Sequence, residues 1–438
     1  MIVRGGNVAT ADGVVAADFA VEDGRIAAMG PELPGGGEEI DARGLTVFPG
    51  LIDVHVHFNE PGRAEWEGAG TGSSALAAGG GTLYFDMPLN SSPCTVDGAA
   101  FDEKREALER ASYTDFALWG GIVPGNGDRL EELAERGVIG FKAFMADSGL
   151  AEFPRSDDRT LYDAMRTAAR LGLPVAVHAE NNDLVRHVGS GSIRDYLDSR
   201  PVIAEVEAIR RAAVLAKEAG AKLHIVHISS GRGVAEALEA RAGGADISIE
   251  TCAHYLYFTD EDMVRIGAVA KCAPPLRPAV ERERLRTALL RGEIDIVGSD
   301  HSPAPLSMKQ DDDFFRVWGG IGGVQSTLAV LLASGCTSAQ IALVAGRRPA
   351  ERFGIAGKGR MAVGYDADFT LVDLHGEYTV TRERLFQRHG LSPYLGARFR
   401  GVVRRTVLRG RTIFEDGKMA GPPSGRMVTA HATTRIHT

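Results

Sequence analysis

The stretch that decides the fold runs from Gly50 to Arg63 and reads Gly50-Leu-Ile-Asp-Val-His55-Val-His57-Phe-Asn-Glu-Pro-Gly-Arg63. In a β-strand, positions i and i+2 face the same side, so His55 and His57 point together and can reach one metal ion. The apolar run ends at this pair, and a Pro-Gly loop follows. Parallel strands end in this way where a barrel delivers side chains to its active site. The stretch therefore predicts a barrel strand that ends in two metal ligands.

The sequence on the C-terminal side repeats a pattern of strand, loop and helix. Helical periodicity is clearest over residues 202–219, where Ile203, Val206 and Ile209 share one face. Eight runs rich in apolar and β-branched residues are predicted to be parallel strands: 51–57, 81–87, 116–123, 138–144, 174–178, 222–228, 246–251 and 294–298. This count predicts an α/β protein with a (β/α)8 TIM barrel. A doubly wound open sheet is the alternative. However, at least five strands have reactive side chains at their ends, and only a closed barrel brings so many strand ends to one point.

The two ends of the chain have a different pattern, with short strand-like runs and turns. Asp-Gly turns at 12–13 and 23–24 indicate hairpins, but this segment has too few apolar residues to form a core alone. Similar runs recur at 366–373 and 402–414. We therefore predict that residues 1–49 and 358–438 form a small β-sandwich domain, and that residues 50–357 form the barrel.

Composition limits the partners that the protein can have. The chain has 438 residues, a formal net charge of -9 and a pI near 5.8. Such a balance gives no general attraction to nucleic acid or to an acidic membrane surface, and it suits a small-molecule substrate. The four cysteines are far apart, and no signal peptide or long apolar span is recognisable. We expect reduced thiols and a cytoplasmic location.

Four further strand ends carry reactive side chains. The predicted fourth strand contains Lys142 between aromatic residues, the fifth and sixth end at His178 and His227, and the eighth ends at Asp300. Burial lowers the pKa of a lysine, and a neutral amine near metal ions can react with carbon dioxide to form a carbamate. The two oxygens of that carbamate could bridge two cations.

Together, these side chains form a set suited to two divalent cations: His55, His57, Lys142, His178, His227 and Asp300. Zinc suits such nitrogen and oxygen ligands, as do manganese, cobalt and iron. The lack of cysteine in the set argues against a structural zinc site. Two cations about 3.5–4 Å apart activate water for hydrolysis without a covalent nucleophile. No G-x-S-x-G motif is present.

The order of these ligands along the chain resembles that of the amidohydrolase superfamily, in its cyclic-amidohydrolase branch of dihydroorotases, hydantoinases and allantoinases. Longer blocks are similar to those of the allantoinases and cover most of the barrel. They include Asn59-Glu-Pro-Gly-Arg63, Met87-Pro-Leu-Asn90, Gly140-Phe-Lys-Ala-Phe144, Ser199-Arg-Pro201, Lys271-Cys-Ala-Pro-Pro-Leu-Arg277, Ser299-Asp-His-Ser-Pro303 and Trp318-Gly-Gly-Ile-Gly-Gly-Val-Gln-Ser326.

The resemblance implies a role for each ligand. His55 and His57 would bind one metal ion and His178 and His227 the other, with carboxylated Lys142 bridging the two. Asp300 would complete the first site and act as the catalytic acid and base. The implied reaction is hydrolysis of the cyclic amide of allantoin to allantoate, a step of purine degradation. The resemblance also implies a homotetramer.

Other functions in the same branch stay open. A dihydroorotase typically has an arginine two residues after the His-x-His pair, where this chain has Asn59. A hydantoinase or dihydropyrimidinase usually has a tyrosine at the position of Asp147 and a serine at that of Ala273. A non-enzymatic, hydantoinase-like scaffold protein is a third alternative, although all six ligand positions are filled.

Four residues are predicted to contact substrate: Asn90, Ala273 through its backbone, His254 and His301. His301 could instead orient Asp300 or bond to its own loop. Residues 311–315, Asp-Asp-Asp-Phe-Phe, follow the eighth strand and suggest a lid over the barrel mouth.

Overall fold

A computed structural model describes residues 1–35, 37–186 and 189–430 of the chain. Its strands fall into three groups along the sequence: five at the N-terminus, eight in the middle and four near the C-terminus. In chain order they are β1 (Ile2–Thr10), β2 (Gly13–Glu22), β3 (Arg25–Gly30), β4 (Glu39–Asp41), β5 (Thr46–Pro49), β6 (Leu51–Val56), β7 (Gly81–Asp86), β8 (Asp115–Gly121), β9 (Gly140–Phe144), β10 (Val175–His178), β11 (Leu223–Ile225), β12 (Ile247–Cys252), β13 (Ile296–Gly298), β14 (Phe369–Thr379), β15 (Arg398–Leu408), β16 (Arg411–Glu415) and β17 (Lys418–Met419).

The middle group confirms the (β/α)8 barrel. Strands β6 to β13 pair in sequence order, and every pair in this ladder is parallel. In the described part of the chain, β13 and β6 share no ladder. The barrel closes instead at an isolated parallel bridge between Val56 and His301, where the His57 amide donates to the His301 carbonyl at 2.8 Å. All residues of β6, β7 and β8 are buried, as expected for parallel strands covered on both faces.

Helices follow most of the barrel strands and cover the outside of the barrel. The predicted helix over residues 202–219 is confirmed, and its buried face includes Ala208, Ile209 and Ala212. Among the described residues, no helix is long and apolar enough to cross a membrane. The helices are α1 (Ala69–Ala78), α2 (Gly98–Ala111), α3 (Leu130–Arg136), α4 (Asp158–Leu171), α5 (Ile193–Ser199), α6 (Val202–Ala219), α7 (Gly231–Ala242), α8 (Ala253–Tyr257), α9 (Asp260–Ile266), α10 (Ala279–Leu290), α11 (Thr327–Ala333), α12 (Ser338–Ala342) and α13 (Arg348–Arg352).

The two ends of the chain form a second, mostly antiparallel sheet. Its central connection is between β5 and β14, which joins the N-terminal strands to the C-terminal ones. Phe19 and Phe369 pack edge to face in its core with ring centroids 5.0 Å apart. The two ends share one sheet and one core, so each end carries only part of the apolar residues that the core needs. The domain limits 1–49 plus 358–438 and 50–357 stay a proposal, and residues 431–438 lie outside the described ranges.

A buried lysine connects the barrel to the terminal sheet. The Lys358 ammonium lies 2.8 Å from a carboxylate oxygen of Asp115, 3.0 Å from one of Asp366 and 2.5 Å from one of Asp368. Asp115 begins β8, whereas the other two carboxylates immediately precede β14. The three negative charges raise the pKa of Lys358 despite the opposing effect of burial. One cation therefore neutralises charges from both parts of the fold.

Lys358→Met should destabilise the protein by about 3–5 kcal/mol, because it leaves the buried Asp368 carboxylate without a counter-ion, whereas Asp115 still pairs with Arg409. We expect urea-induced unfolding, followed by tryptophan fluorescence, to have a clearly lower midpoint than in the wild type. Lys418→Met removes an exposed lysine of the same sheet and is the matched control. Equal midpoints for the two variants would contradict this role of Lys358.

Candidate metal centre

The C-terminal ends of the barrel strands surround a cavity of about 490 Å³. Five of the six predicted metal ligands line it: His55, His57, His178, His227 and Asp300. The sixth, Lys142, lies fully buried on β9 with its ammonium 4.8 Å from the centre of the Phe144 ring. The structure thus brings all six predicted residues to one end of the barrel, where TIM-barrel active sites are found.

The first group of ligands converges on one carboxylate oxygen. Nε2 of His55 and Nε2 of His57 each lie 3.3 Å from Oδ1 of Asp300. One donor atom from each of the three residues lies within 4.8 Å of the others. Burial lowers the pKa of His57 to about 4, so its ring is neutral near pH 7 and can bind a cation. Two imidazole nitrogens and one carboxylate oxygen suit a divalent metal ion.

The second group consists of two histidines from adjacent strands. Nδ1 of His178 lies 3.0 Å from Nε2 of His227. Burial lowers the pKa of both rings, and they are neutral at pH 7. With Nε2 of His178 occupied by Glu180, its Nδ1 is the nitrogen left for a metal ion. The pair therefore offers two nitrogen donors for a second cation.

Lys142 lies in the same region without a hydrogen-bond partner. Among the described residues, no group accepts from its Nζ, although the side chain is fully buried. An unpaired buried polar atom is uncommon and indicates a missing partner. Burial lowers the pKa of Lys142 to about 7, so an appreciable fraction of the amine is free at neutral pH. These features fit a lysine that is carboxylated and bound to cations.

Two buried glutamates orient the histidines, and the sequence reasoning missed them. Oε1 of Glu250 lies 2.9 Å from Nδ1 of His55, and its Oε2 lies 2.8 Å from Nε2 of His224. Oε2 of Glu180 lies 2.8 Å from Nε2 of His178 and also pairs with Arg200. Burial would raise the pKa of both carboxyls, but the neighbouring histidines, and Arg200 beside Glu180, hold both at about 2. Such carboxylates fix the tautomer and the direction of a metal-binding ring.

One signal in the sequence could have identified Glu250. It stands alone among apolar and small residues in β12, Ile247–Cys252, and the period of two directs it to the same side as Ser248 and Cys252. Glu180 has a comparable signal, because it follows His178 by two positions.

The backbone turns sharply at two of the ligands. His227 has φ of 39° and Asp300 has φ of 46°, both in the left-handed region that non-glycine residues rarely adopt. The ladder of β11 ends at Ile225, before His227, although a strand was predicted to continue to residue 228. The His227 amide donates instead to Glu250 at 3.1 Å. Strained residues of this kind persist where the surrounding structure holds them, and they cluster at functional sites.

The four predicted substrate contacts fall in two groups. Asn90 and Ala273 line the cavity, and Asn90 donates to the Ser302 hydroxyl at 3.3 Å. His254 and His301 are buried beside the cavity and are not part of its lining. Nδ1 of His301 accepts the amides of Gly323 and Val324, so its ring is directed into its own loop. All four substrate contacts stay predictions.

Glu250→Gln should weaken cation binding at the His55, His57 and Asp300 site by about 10- to 100-fold, because the amide no longer holds the His55 ring as a charged acceptor does. Competition with a fluorescent zinc chelator measures this affinity. Glu236→Gln alters a glutamate on α7 that pairs with Arg210, away from the cavity, and is the control. An unchanged affinity would show that Glu250 does not orient the ligand.

Comparisons with known proteins identify the family of the chain. The amidohydrolase family model matches residues 46–413. An allantoinase of Solibacter usitatus is 63% identical, covering 100% of this chain and 99% of its own. An allantoinase of Rubrobacter xylanophilus is 56% identical, covering 98% of this chain and 97% of its own. The solved structure of an L-hydantoinase (dihydropyrimidinase) from Arthrobacter aurescens has a TM-score of 0.94 at 33% identity, covering 98% of this chain and 99% of that one. The chain therefore belongs to the amidohydrolase family and, among its cyclic amidohydrolases, to the allantoinases.

Proposed function

We propose that this protein hydrolyses the cyclic amide bond of allantoin to give allantoate, with two divalent cations held by the six predicted ligands. One observation carries the proposal: two groups of ligand atoms and an unpaired buried lysine meet at the mouth of the barrel. The high identity to allantoinases favours allantoin over other cyclic amides.

When bound, the two cations would lower the pKa of a water molecule and polarise the ring carbonyl. His55, His57 and Asp300 would hold one cation, His178 and His227 the other, and carboxylated Lys142 would contact both. Glu250 and Glu180 keep the rings of His55 and His178 in position. Phe315 and Trp318 form part of the cavity wall.

Asp300 is the residue best placed to move a proton. Burial would raise its pKa, but the adjacent His55 and His57 more than offset this effect and keep the carboxyl ionised at neutral pH. An ionised carboxylate can accept a proton from the attacking water and deliver it to the ring nitrogen that leaves. Asp300 therefore acts first as a base and then as an acid.

One position near the ligands argues against dihydroorotate as the substrate. Asn59 follows His57 by two positions, is buried and carries no charge. A carboxylate such as that of dihydroorotate would find no counter-ion at this position, whereas allantoin carries no carboxylate. Asp147 and Ala273 line the cavity where a typical hydantoinase has tyrosine and serine.

Three finer properties are part of the proposal and rest on the family resemblance and on composition. Zinc is the proposed metal, with manganese, cobalt and iron as alternatives to be separated by elemental analysis. A homotetramer is the proposed assembly, which light scattering during gel filtration measures. A cytoplasmic location is proposed from the four cysteines, which are free and buried.

The proposed function is tested by initial rates of ring opening by the metal-loaded protein. Racemic allantoin, a 5-substituted hydantoin, dihydrouracil and dihydroorotate are compared in parallel. We expect kcat/KM to be highest for allantoin. A higher value for hydantoin or dihydrouracil would favour the hydantoinase alternative. Less than one equivalent of metal after loading, with no turnover of any substrate, would favour the scaffold.

A further inference from the structure

Two buried lysines outside the metal centre bind the backbone of the cavity wall. We call residues 314–320 the wall segment, because residues 315–320 all line the cavity. The Lys271 ammonium donates to the carbonyls of Phe314, Phe315 and Val317 at 2.6, 3.2 and 2.5 Å. The Lys309 ammonium donates to the carbonyls of Trp318 and Gly320 at 2.7 and 2.8 Å. Five of the seven carbonyls in the wall segment are therefore held by lysines.

Neither lysine is buried in order to neutralise an acid. Lys271 is 4% exposed and Lys309 is 7% exposed. Within the described ranges, no carboxylate forms an ion pair with either ammonium, whereas the buried Lys104 and Lys358 both pair with aspartates. Burying a charge without a counter-ion is costly, so other groups must provide the compensation. These are the carbonyls and, for Lys271, the rings of Tyr196 and Phe314, whose centres lie 4.7 and 5.1 Å from its ammonium. Three acceptors around Lys271 also require all three protons of an ammonium.

The occupied carbonyls leave a wall that offers hydrogen-bond donors. In the part of the chain that the structure describes, no group accepts from the amides of Val317 and Gly319, and both residues line the cavity. The indole Nε1 of Trp318 is likewise without an acceptor. The wall segment is also connected to the loop that contains Lys271, because the Gly320 amide donates to the Lys271 carbonyl at 2.7 Å. A bound cyclic amide with several carbonyl oxygens would complement these donors.

We propose that Lys271 and Lys309 are positioning residues for substrate binding: they hold the carbonyls of the wall segment away from the cavity and thereby direct its amide donors to the substrate. This assignment rests on the proposed function, because the substrate it concerns is allantoin. Neither lysine touches the metal ligands. Lys271 also lines the cavity, whereas Lys309 does not. Both act on substrate binding through the backbone of the wall segment, and Lys309 has no other route to the cavity.

Lys309→Met and Lys271→Met test the assignment, since methionine keeps the apolar length and removes the donors. Each variant should raise KM for allantoin about tenfold, the effect of losing one or two well-aligned hydrogen bonds. We expect kcat to stay within about threefold, because the metal centre is untouched. Metal content and the thermal midpoint show whether a variant has folded with an intact centre. Lys217→Met is the control, because Lys217 also donates to a carbonyl, that of Gly243 at 2.7 Å, but on the outer surface.

A second measurement does not depend on turnover. Arg316 is exposed within the wall segment, so trypsin can cleave after it, and peptide masses identify this cut. Cleavage should be faster in both variants than in the wild type and the Lys217→Met control. An unchanged cleavage rate, an unchanged KM, or a joint loss of kcat and metal would overturn the assignment. A wild-type protein that does not hydrolyse allantoin would instead overturn the proposed function. The cleavage rates would still show whether the two lysines hold the wall segment in place.

Discussion

Lys142→Met is expected to lower kcat for allantoin by about 10³-fold or more, because it removes the group proposed to contact both cations. Methionine has nearly the length of lysine and suits the apolar side of β9, so the barrel should stay folded. The variant should also retain fewer than two equivalents of metal after loading. Steady-state rates and elemental analysis on the same sample measure both effects.

Bicarbonate provides an internal control for the carboxylation of Lys142. Protein loaded with metal in buffer depleted of carbon dioxide should be less active than protein loaded with bicarbonate. The Lys142→Met variant should not respond to bicarbonate, since it has no amine to carboxylate. Full activity of the variant, or a wild type that is indifferent to bicarbonate and lacks a carbamate signal in ¹³C NMR, would contradict the proposed role.

Asp300→Asn should lower kcat by about 10²- to 10⁴-fold, because an amide cannot accept and return the proton. The two residues have nearly the same shape, and the amide oxygen can still face His55 and His57. We expect the His178 and His227 site to keep its cation, so the loss should exceed any loss of metal. Assays between pH 6 and 9 should find no pH at which activity is recovered.

Asp163→Asn is the control for this change, because Asp163 is on α4 at the outer surface. It should behave as the wild type. If Asp300→Asn kept more than about one tenth of kcat with both cations bound, another group would have to carry the proton.

The barrel could be predicted from the sequence because local patterns of apolar residues determine its strands and helices. Each predicted strand overlaps a strand in the structure, and each predicted ligand either lies in a barrel strand or follows one by one or two residues. His55 and His57 could be placed on one face from their spacing alone. The sheet formed by the two chain ends was also predictable, because neither end could bury a core by itself.

The support around the ligands was not predictable in the same way. Glu250 is 195 positions from His55, and no local pattern links them. The hydrogen bonds of Lys271 and Lys309 all go to backbone carbonyls, which leave no mark in the amino-acid sequence. The left-handed backbone at His227 and Asp300 was not predictable either, since neither residue type requires such a conformation. Tertiary packing thus decides the geometry that strand patterns leave open.

The way in which the barrel closes has a consequence for the metal ions themselves. Among the described residues, strands β6 and β13 share no ladder. Their ends are joined by the bridge between Val56 and His301, by the Ser299 amide, which donates to Asp53, and by the Ser299 hydroxyl, which donates to the His55 carbonyl. His55 and His57 belong to one side of this seam and Asp300 to the other. A cation bound by all three residues would therefore stabilise the contact between the first and last strands, which share no ladder. Chelation would then remove a cation that stabilises the fold as well as the catalytic metal. The first and last barrel strands would be the first to separate.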